Sequence, residues 1–234
     1  MNIVITGASS GVGFEAVLEL IQNTENKVVA LARSEDKLKR LHEIALALNP
    51  DATLYAAKFD IVKDDHELAL VPFIKERLET VDILINNAGV LINKPFELLS
   101  QLDFLEMMQY NFLGHVKMIQ NLLPLMKENS HIVNIGSMGG FTGSSKFPGL
   151  CAYSASKSAL HNLTECLAVE FAHRKIKVNC LALGSAQTEM LETAFPGYES
   201  PVMAFEMGKY IADFALTGHK FFNGKILPVA MNTP

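Results

Sequence analysis

The sequence predicts an α/β fold: a doubly wound, mostly parallel sheet of seven strands with helices on both faces. Two observations carry this expectation. Short apolar runs alternate with longer segments of helical periodicity almost to the C-terminus, the order of a parallel sheet built by crossover connections. Several runs also lack polar alternation, as strands covered on both faces do.

The elements follow in order. NIVIT at 2–6 opens the sheet and 12–22 supplies the first crossover helix. VVALA at 28–32 precedes a second helix over 35–48, where Leu38, Leu41, Ile44, Ala45 and Leu48 fall at helical spacing. TLYAAK at 53–58, a helix over 64–79 and DILIN at 82–86 complete the first half. A helix over 101–127, the strand HIVNI at 131–135, a helix over 152–173, and the strands IKVNCL at 176–181 and KILPV at 225–229 make the second. No linker, repeat or low-complexity stretch interrupts them, so residues 1–234 read as one domain. The compositional breaks fall at 136–149 and 184–201, beyond the ends of the fifth and sixth strands. Ligands of open parallel sheets bind there.

Composition narrows the function classes. The chain is 49% apolar and 19% charged, a slight apolar lean that leaves room for an oligomer interface. Its net charge is −5 and no basic block could track a phosphate backbone, which argues against nucleic acid. With no apolar run near the roughly 20 residues of a membrane span and no leader pattern after Met1, the expectation is a cytoplasmic protein without a membrane partner. The three cysteines, Cys151, Cys166 and Cys180, read as reduced and mostly buried, and the seven scattered histidines show no metal-ligand spacing. No metal site is expected.

Between the first strand and first helix stands TGASSGVG. Gly7, Gly11 and Gly13 permit a tight turn and close approach of a pyrophosphate to a helix N-terminus, with Ser9, Ser10 and Val12 between them. The second strand ends in Ala32-Arg33-Ser34, with no acidic group to grip a free 2′-hydroxyl. Arg33 instead offers charge and donors to a 2′-phosphate, which favours NADP (NADPH) over NAD. Lys37 either helps or is a surface charge. Asp60, followed by Ile61, either accepts from an adenine amino group or caps the following helix. Asn87, Ala88 and Gly89, in NNAG, form a small-residue turn over which a cofactor can lie.

Tyr153 and Lys157, in CAYSASKS, are four residues apart and share a helix face. A cation beside a phenol favours its charged form, so the pair can act as an acid and base tuned toward neutrality. Asn111 sits in an otherwise apolar helix and must find buried partners; His115, one turn on, reads as structural.

Together these features resemble the short-chain dehydrogenase/reductase family, with a single Rossmann-like domain. Thr6–Gly13 is similar to its cofactor loop, Asn86–Gly89 to its central turn, and Asn111, Ser137, Tyr153 and Lys157 to its catalytic tetrad. The resemblance implies reduction of a carbonyl or oxidation of a secondary alcohol on a small molecule. Tyr153 would be the general acid or base; Lys157 would lower its pKa and hold the nicotinamide ribose. Ser137 would bind the carbonyl oxygen and Asn111 would support a water chain. It also implies a homodimer or homotetramer through helices 101–127 and 152–173. The rival class is a catalytically silent nucleotide-binding regulator of the same fold.

The chain departs from the family pattern in two places. Ser137 and Tyr153 are separated by an unusually long loop, in which Ser144 and Ser145 are rivals to Ser137. After the sixth strand Leu183-Gly184 replaces Pro-Gly; Gly184 is expected to face the nicotinamide and the Thr188 hydroxyl its carboxamide or the pyrophosphate. Residues 185–216 are read as a small substrate-binding lobe, whose Met190, Leu191, Phe195 and Tyr198 favour an apolar or neutral substrate. The small residues Ala152, Ser154, Ala155 and Ser156 are expected to let the cofactor and a partner helix come close.

Overall fold

A computed structural model describes residues 1–231. β1 (Asn2–Thr6), β2 (Lys27–Ala32), β3 (Thr53–Lys58), β4 (Val81–Asn86), β5 (Met126–Ser137), β6 (Lys177–Leu183) and β7 (Ile226–Val229) form one sheet in the order β3-β2-β1-β4-β5-β6-β7. All six pairings are parallel. Winding runs outward from β1 to β3 and then reverses from β4 to β7, so a crevice opens past the ends of β1 and β4.

The helices are α1 (Gly11–Leu20), α2 (Glu35–Leu48), α3 (Val71–Leu78), α4 (Gln101–Met108), α5 (Gly114–Leu122), α6 (Cys151–Glu170), α7 (Glu189–Ala194) and α8 (Ala204–Thr217). Side chains alternate across each strand, which makes two cores. Ile3 and Ile5 of β1 face a layer of α1, α2 and α8, and Val4 faces α3, α5 and α6. The apolar runs thus serve both faces, which is why they lack polar alternation. Within the first layer α8 lies directly on α1: a β-carbon on Gly208 would stand 2.8 Å from the backbone nitrogen of Ala16.

Several boundaries differ from the periodicity, for local reasons. Segment 101–127 is not one helix: a wide π-helical turn, Gln109–Leu113, separates α4 from α5, and a 3-10 turn, Leu123–Leu125, ends it where Pro124 has no N–H to donate. α3 begins only at Val71, after a similar π turn over His66–Leu70, because Pro72 belongs in a first helical turn. β5 starts well before 131: its early residues Lys127, Glu128 and Asn129 are exposed, and the register shifts opposite Val81 and Ile83. An exposed, irregular stretch carries no apolar pattern to read. Cys151 and Cys166 are exposed on α6 and only Cys180 is buried, against the expectation of mostly buried thiols. Among the described residues, no helix is long and apolar enough to cross a membrane and no cluster of three His, Cys, Asp or Glu could hold a metal ion.

Candidate active site

A cavity of about 1050 Å³ lies at the C-terminal ends of the strands. Every residue expected at the site lines it except Asn111. Gly7, Ser9, Ser10, Gly11, Val12 and Gly13 form its floor; Arg33, Ser34, Asp60 and Ile61 wall one end. Asn87, Ala88 and Gly89 lie along the middle, and Ser137, Tyr153, Lys157, Gly184 and Thr188 surround the other end.

The glycines are required by close approach. Gly7 and Gly11 hold φ of 68° and 59°, a region that side chains disfavour. A β-carbon on Gly7 would stand 2.6 Å from Ala88 Cα, and one on Gly13 would stand 2.5 Å from the Gly7 carbonyl oxygen. Asn87 uses the space: its Nδ2 donates to the carbonyls of Thr6 and Gly7 at 3.0 and 3.1 Å. The Thr6 hydroxyl accepts from the backbone of Asn87 and Ala88 at 3.1 and 3.0 Å. The central turn is therefore stitched to the glycine loop, and the Asn87 amide acts as its brace. Ser10 begins α1 without a side-chain cap, so the cavity-lining first turn keeps N–H groups for an anion. These residues fit the pyrophosphate of a dinucleotide.

At the Arg33 end, the guanidinium lies 5.1 Å from the centroid of the Tyr110 ring, and the Tyr110 hydroxyl donates to Asp60 Oδ2 at 3.2 Å. Asp60 Oδ1 accepts from the backbone of Val62 and Lys63 at 2.9 and 3.3 Å. The carboxylate is engaged in its own turn at 61–63; it does not cap the following helix, where Asp65 accepts from Leu68 N at 2.8 Å. Ser34 caps α2 by accepting from Lys37 N at 3.4 Å. Lys37 itself pairs across the cavity mouth with Glu189 at 2.6 Å. Tyr110 was missed because it belongs to no motif; its one signal is a phenol in an apolar run beside Asn111.

At the other end, Ser137 closes β5 and Tyr153 lies in the first turn of α6, with Lys157 one turn later on the same face. Lys157 is buried, its Nζ donates to the Ile135 carbonyl at 2.8 Å, and it lies 5.9 Å from the centroid of the Tyr153 ring. Burial lowers its pKa to about 8. Burial also pushes the Tyr153 phenol up, opposed by Ser137. The net direction is upward, against the expected tuning: burial outweighs Ser137 and the phenol keeps its proton.

Asn111 stands behind the cavity wall, displaced onto the π turn. Its Oδ1 accepts from Val90 N at 2.9 Å, and its Nδ2 donates to the Val90 carbonyl and to Ser156 Oγ, both at 3.0 Å. A β-carbon on Gly89 would lie 3.0 Å from Asn111 Oδ1 and 3.6 Å from Lys157 Nζ, so only glycine separates the two. Ser156 is buried against Asn111, and so does not admit a partner helix as its small size suggested. Burial, with Lys157 nearby, holds His115 down at about 3, a neutral core side chain.

The remaining candidates also make contacts of their own. The Ser144 hydroxyl donates to the carbonyls of Met138 and Phe141, so it folds its own loop and is no rival to Ser137. A β-carbon on Gly184 would lie 2.8 Å from Ala230 Cβ; packing beyond β7 demands glycine there. Thr188 accepts from Leu191 N at 3.2 Å, so its hydroxyl caps α7. Of the segment 185–216, the cavity is lined only as far as Val202, because α8 turns away onto α1.

The fold and the site define a nicotinamide-type oxidoreductase. Residues 1–199 match the family model described as short chain dehydrogenase, and the chain belongs to that family. It is 32% identical over 195 residues to an uncharacterised oxidoreductase of Listeria innocua, covering 82% of this chain and 76% of that one. A 3-ketoacyl-(acyl-carrier-protein) reductase from Brucella melitensis, complexed with NADH, superposes with a TM-score of 0.84 at 27% identity, over 97% of this chain and 96% of that one. An actinorhodin polyketide ketoreductase with NADPH shares the fold with a TM-score of 0.85 at 24% identity, over 98% and 95% of the two chains. The chain is thus an oxidoreductase of the short-chain type, acting on a carbonyl or alcohol by hydride transfer.

Proposed function

We propose that the chain is an NADP(H)-dependent reductase of apolar or neutral carbonyl compounds, reversible toward secondary alcohols. One observation carries this reading: Ser137, Tyr153 and Lys157 meet in the same cavity as the glycine loop and Arg33, and neither residue directly after β2, Arg33 or Ser34, is acidic. Structures of the same fold hold either NADH or NADPH, so the choice rests on this chain's own residues.

The glycine loop and first turn of α1 would hold the pyrophosphate, Arg33 and Ser34 the 2′-phosphate, and Lys157 the ribose. When bound, the cofactor supplies the hydride. Negative charge then develops on the substrate oxygen, and two hydroxyls answer it. Ser137 Oγ accepts from Gly139 N at 3.1 Å, which leaves its proton free to donate to that oxygen. Tyr153, kept protonated by burial, gives its proton to the same atom and recovers it in reverse. Asn111 positions this machinery through Val90 and Ser156.

The cations lining the cavity are Arg33, Lys37 and Lys157, and none stands among Val90, Leu91, Met138, Leu150 and Phe195. That wall suits an apolar or neutral substrate rather than an anion. Exposed Leu102, Leu105, Leu113 and Val169 on segments 101–127 and 152–173 support assembly into a homodimer or homotetramer.

The test compares kcat/KM for NADPH and NADH in the wild type and in Arg33→Ala. Loss of a charge-assisted phosphate contact lowers the NADPH preference roughly tenfold, and an unchanged ratio refutes the phosphate role. Tyr153→Phe should bind NADPH normally yet lose turnover; unchanged turnover refutes the assigned acid.

A further inference from the structure

The long loop between Ser137 and Tyr153 is organised by a cation. Lys146 turns its ammonium inward, donating to the carbonyls of Gly139 and Phe141 at 2.9 and 2.6 Å and to Ser144 Oγ at 2.9 Å. With these acceptors gathered around one charge, the loop curls and presents the next residue, Phe147, to the cavity. Phe147 is 55% exposed, and its ring meets Phe195 edge-on, with ring centroids 6.5 Å apart and planes at 66°.

Two further ties hold this arrangement. Asn93 Nδ2 donates to the Ala194 carbonyl at 2.7 Å, and Lys94 N donates to the Gly149 carbonyl at 3.0 Å. Segments following β4, β5 and β6 are thereby joined over one end of the cavity, the end that holds Ser137 and Tyr153. Phe147 contributes little to the folded core, being more than half exposed, and its free aromatic face lies beside a cavity with apolar neighbours.

We propose that Phe147 and Phe195 are specificity-determining residues, an aromatic roof that selects carbonyl compounds bearing a flat apolar ring. This rests on the reductase reading above. The carbonyl lies against Ser137 and Tyr153, and the ring extends under the two phenylalanines, whose edge-on geometry leaves one face for stacking. Lys146 is the positioning residue that sets the roof.

The experiment compares a flat bicyclic ketone, 1-tetralone, with the small aliphatic 2-butanone in the wild type, Phe147→Ala, Phe147→Tyr and Lys146→Met. Phe147→Ala lowers kcat/KM for 1-tetralone roughly tenfold, leaves 2-butanone and the NADPH Kd unchanged, and is rescued by Phe147→Tyr. Lys146→Met reproduces the selective loss. Equal loss on both ketones, or none on 1-tetralone, overturns the roof. Calorimetric titration of 1-tetralone into the protein separates the two proposals. Binding weakened by Phe147→Ala supports the roof even without turnover; absent or unaltered binding overturns it. A wild type that neither binds NADPH nor reduces either ketone overturns the reductase reading instead.

Discussion

Asn111 is linked to Tyr153 through Ser156: the amide donates to Ser156 Oγ at 3.0 Å, and that hydroxyl donates to the Tyr153 carbonyl at 2.7 Å. The link crosses from the π turn to the first turn of α6, so it fixes where the phenol stands. Removing the hydroxyl deprives a buried amide of one acceptor, which costs about 1–3 kcal/mol. Ser156→Ala is therefore expected to lower the urea midpoint and to reduce kcat more than it raises the KM for NADPH. Lower stability with unchanged kcat would show that the link braces the fold without positioning the acid.

Lys157 sets two opposite pH responses. Burial depresses its pKa to about 8 from the ordinary 10.5, so in this window the unfolded chain binds more protons than the native one. Stability attributable to this group therefore rises with pH between these values. The cation proposed to hold the ribose is lost over the same window. NADPH binding should weaken as pH passes about 8 while the unfolding free energy climbs, and Lys157→Met should flatten both trends. Measuring NADPH Kd and urea unfolding from pH 7 to 10 checks this; binding that is flat across pH 8 in the wild type contradicts it.

What the sequence showed of this site depended on whether a residue acts through its type or through its partners. The glycine loop was legible because only glycine fits there, and Tyr153 and Lys157 because helical spacing puts them on one face. The π turn at Gln109–Leu113 was not legible, since one extra residue per turn leaves an apolar run looking like any helix. Ser156 was read only as a small residue, and Tyr110 was missed, for a related reason. Each matters through one long-range hydrogen bond, to Asn111 and to Asp60, and such a bond leaves no trace in spacing. The phenol shift was misjudged because the sequence puts a cation near Tyr153 but does not show how deeply the ring is buried.

Gly13 carries a packing requirement that a binding loop alone would not explain. A β-carbon there meets the Asn87 amide and lies 2.5 Å from the Gly7 carbonyl oxygen, so Gly13→Ala must push the central turn off the glycine loop. We expect it to break the Asn87 hydrogen bonds at their source and cost about 1–3 kcal/mol by overpacking, with weakened binding of NADPH and NADH alike. Gly143, whose β-carbon would meet nothing within 4 Å, is a poor surrogate control because its φ is 84°, so the reference is the wild type. Thermal unfolding and dinucleotide titration compare the two, and a Gly13→Ala protein with native stability would contradict the packing requirement.

Lys37 stands beside the proposed phosphate site already paired with Glu189 at 2.6 Å. Both partners are largely exposed, with side-chain accessibilities of 45% and 72%, so the pair is screened by salt and contributes little to stability. Its consequence is for binding: a 2′-phosphate arriving next to Arg33 competes with a carboxylate for the lysine. Glu189→Gln releases that lysine and removes a negative charge from the cavity mouth. NADPH binding should tighten at low ionic strength, NADH binding should change little, and the gain should shrink as salt is raised. Lys37→Met should abolish the gain when combined with Glu189→Gln. Fluorescence titration of both dinucleotides at two ionic strengths decides the matter, because equal tightening of NADH would mean that Glu189 acts on access to the whole cavity rather than on the phosphate.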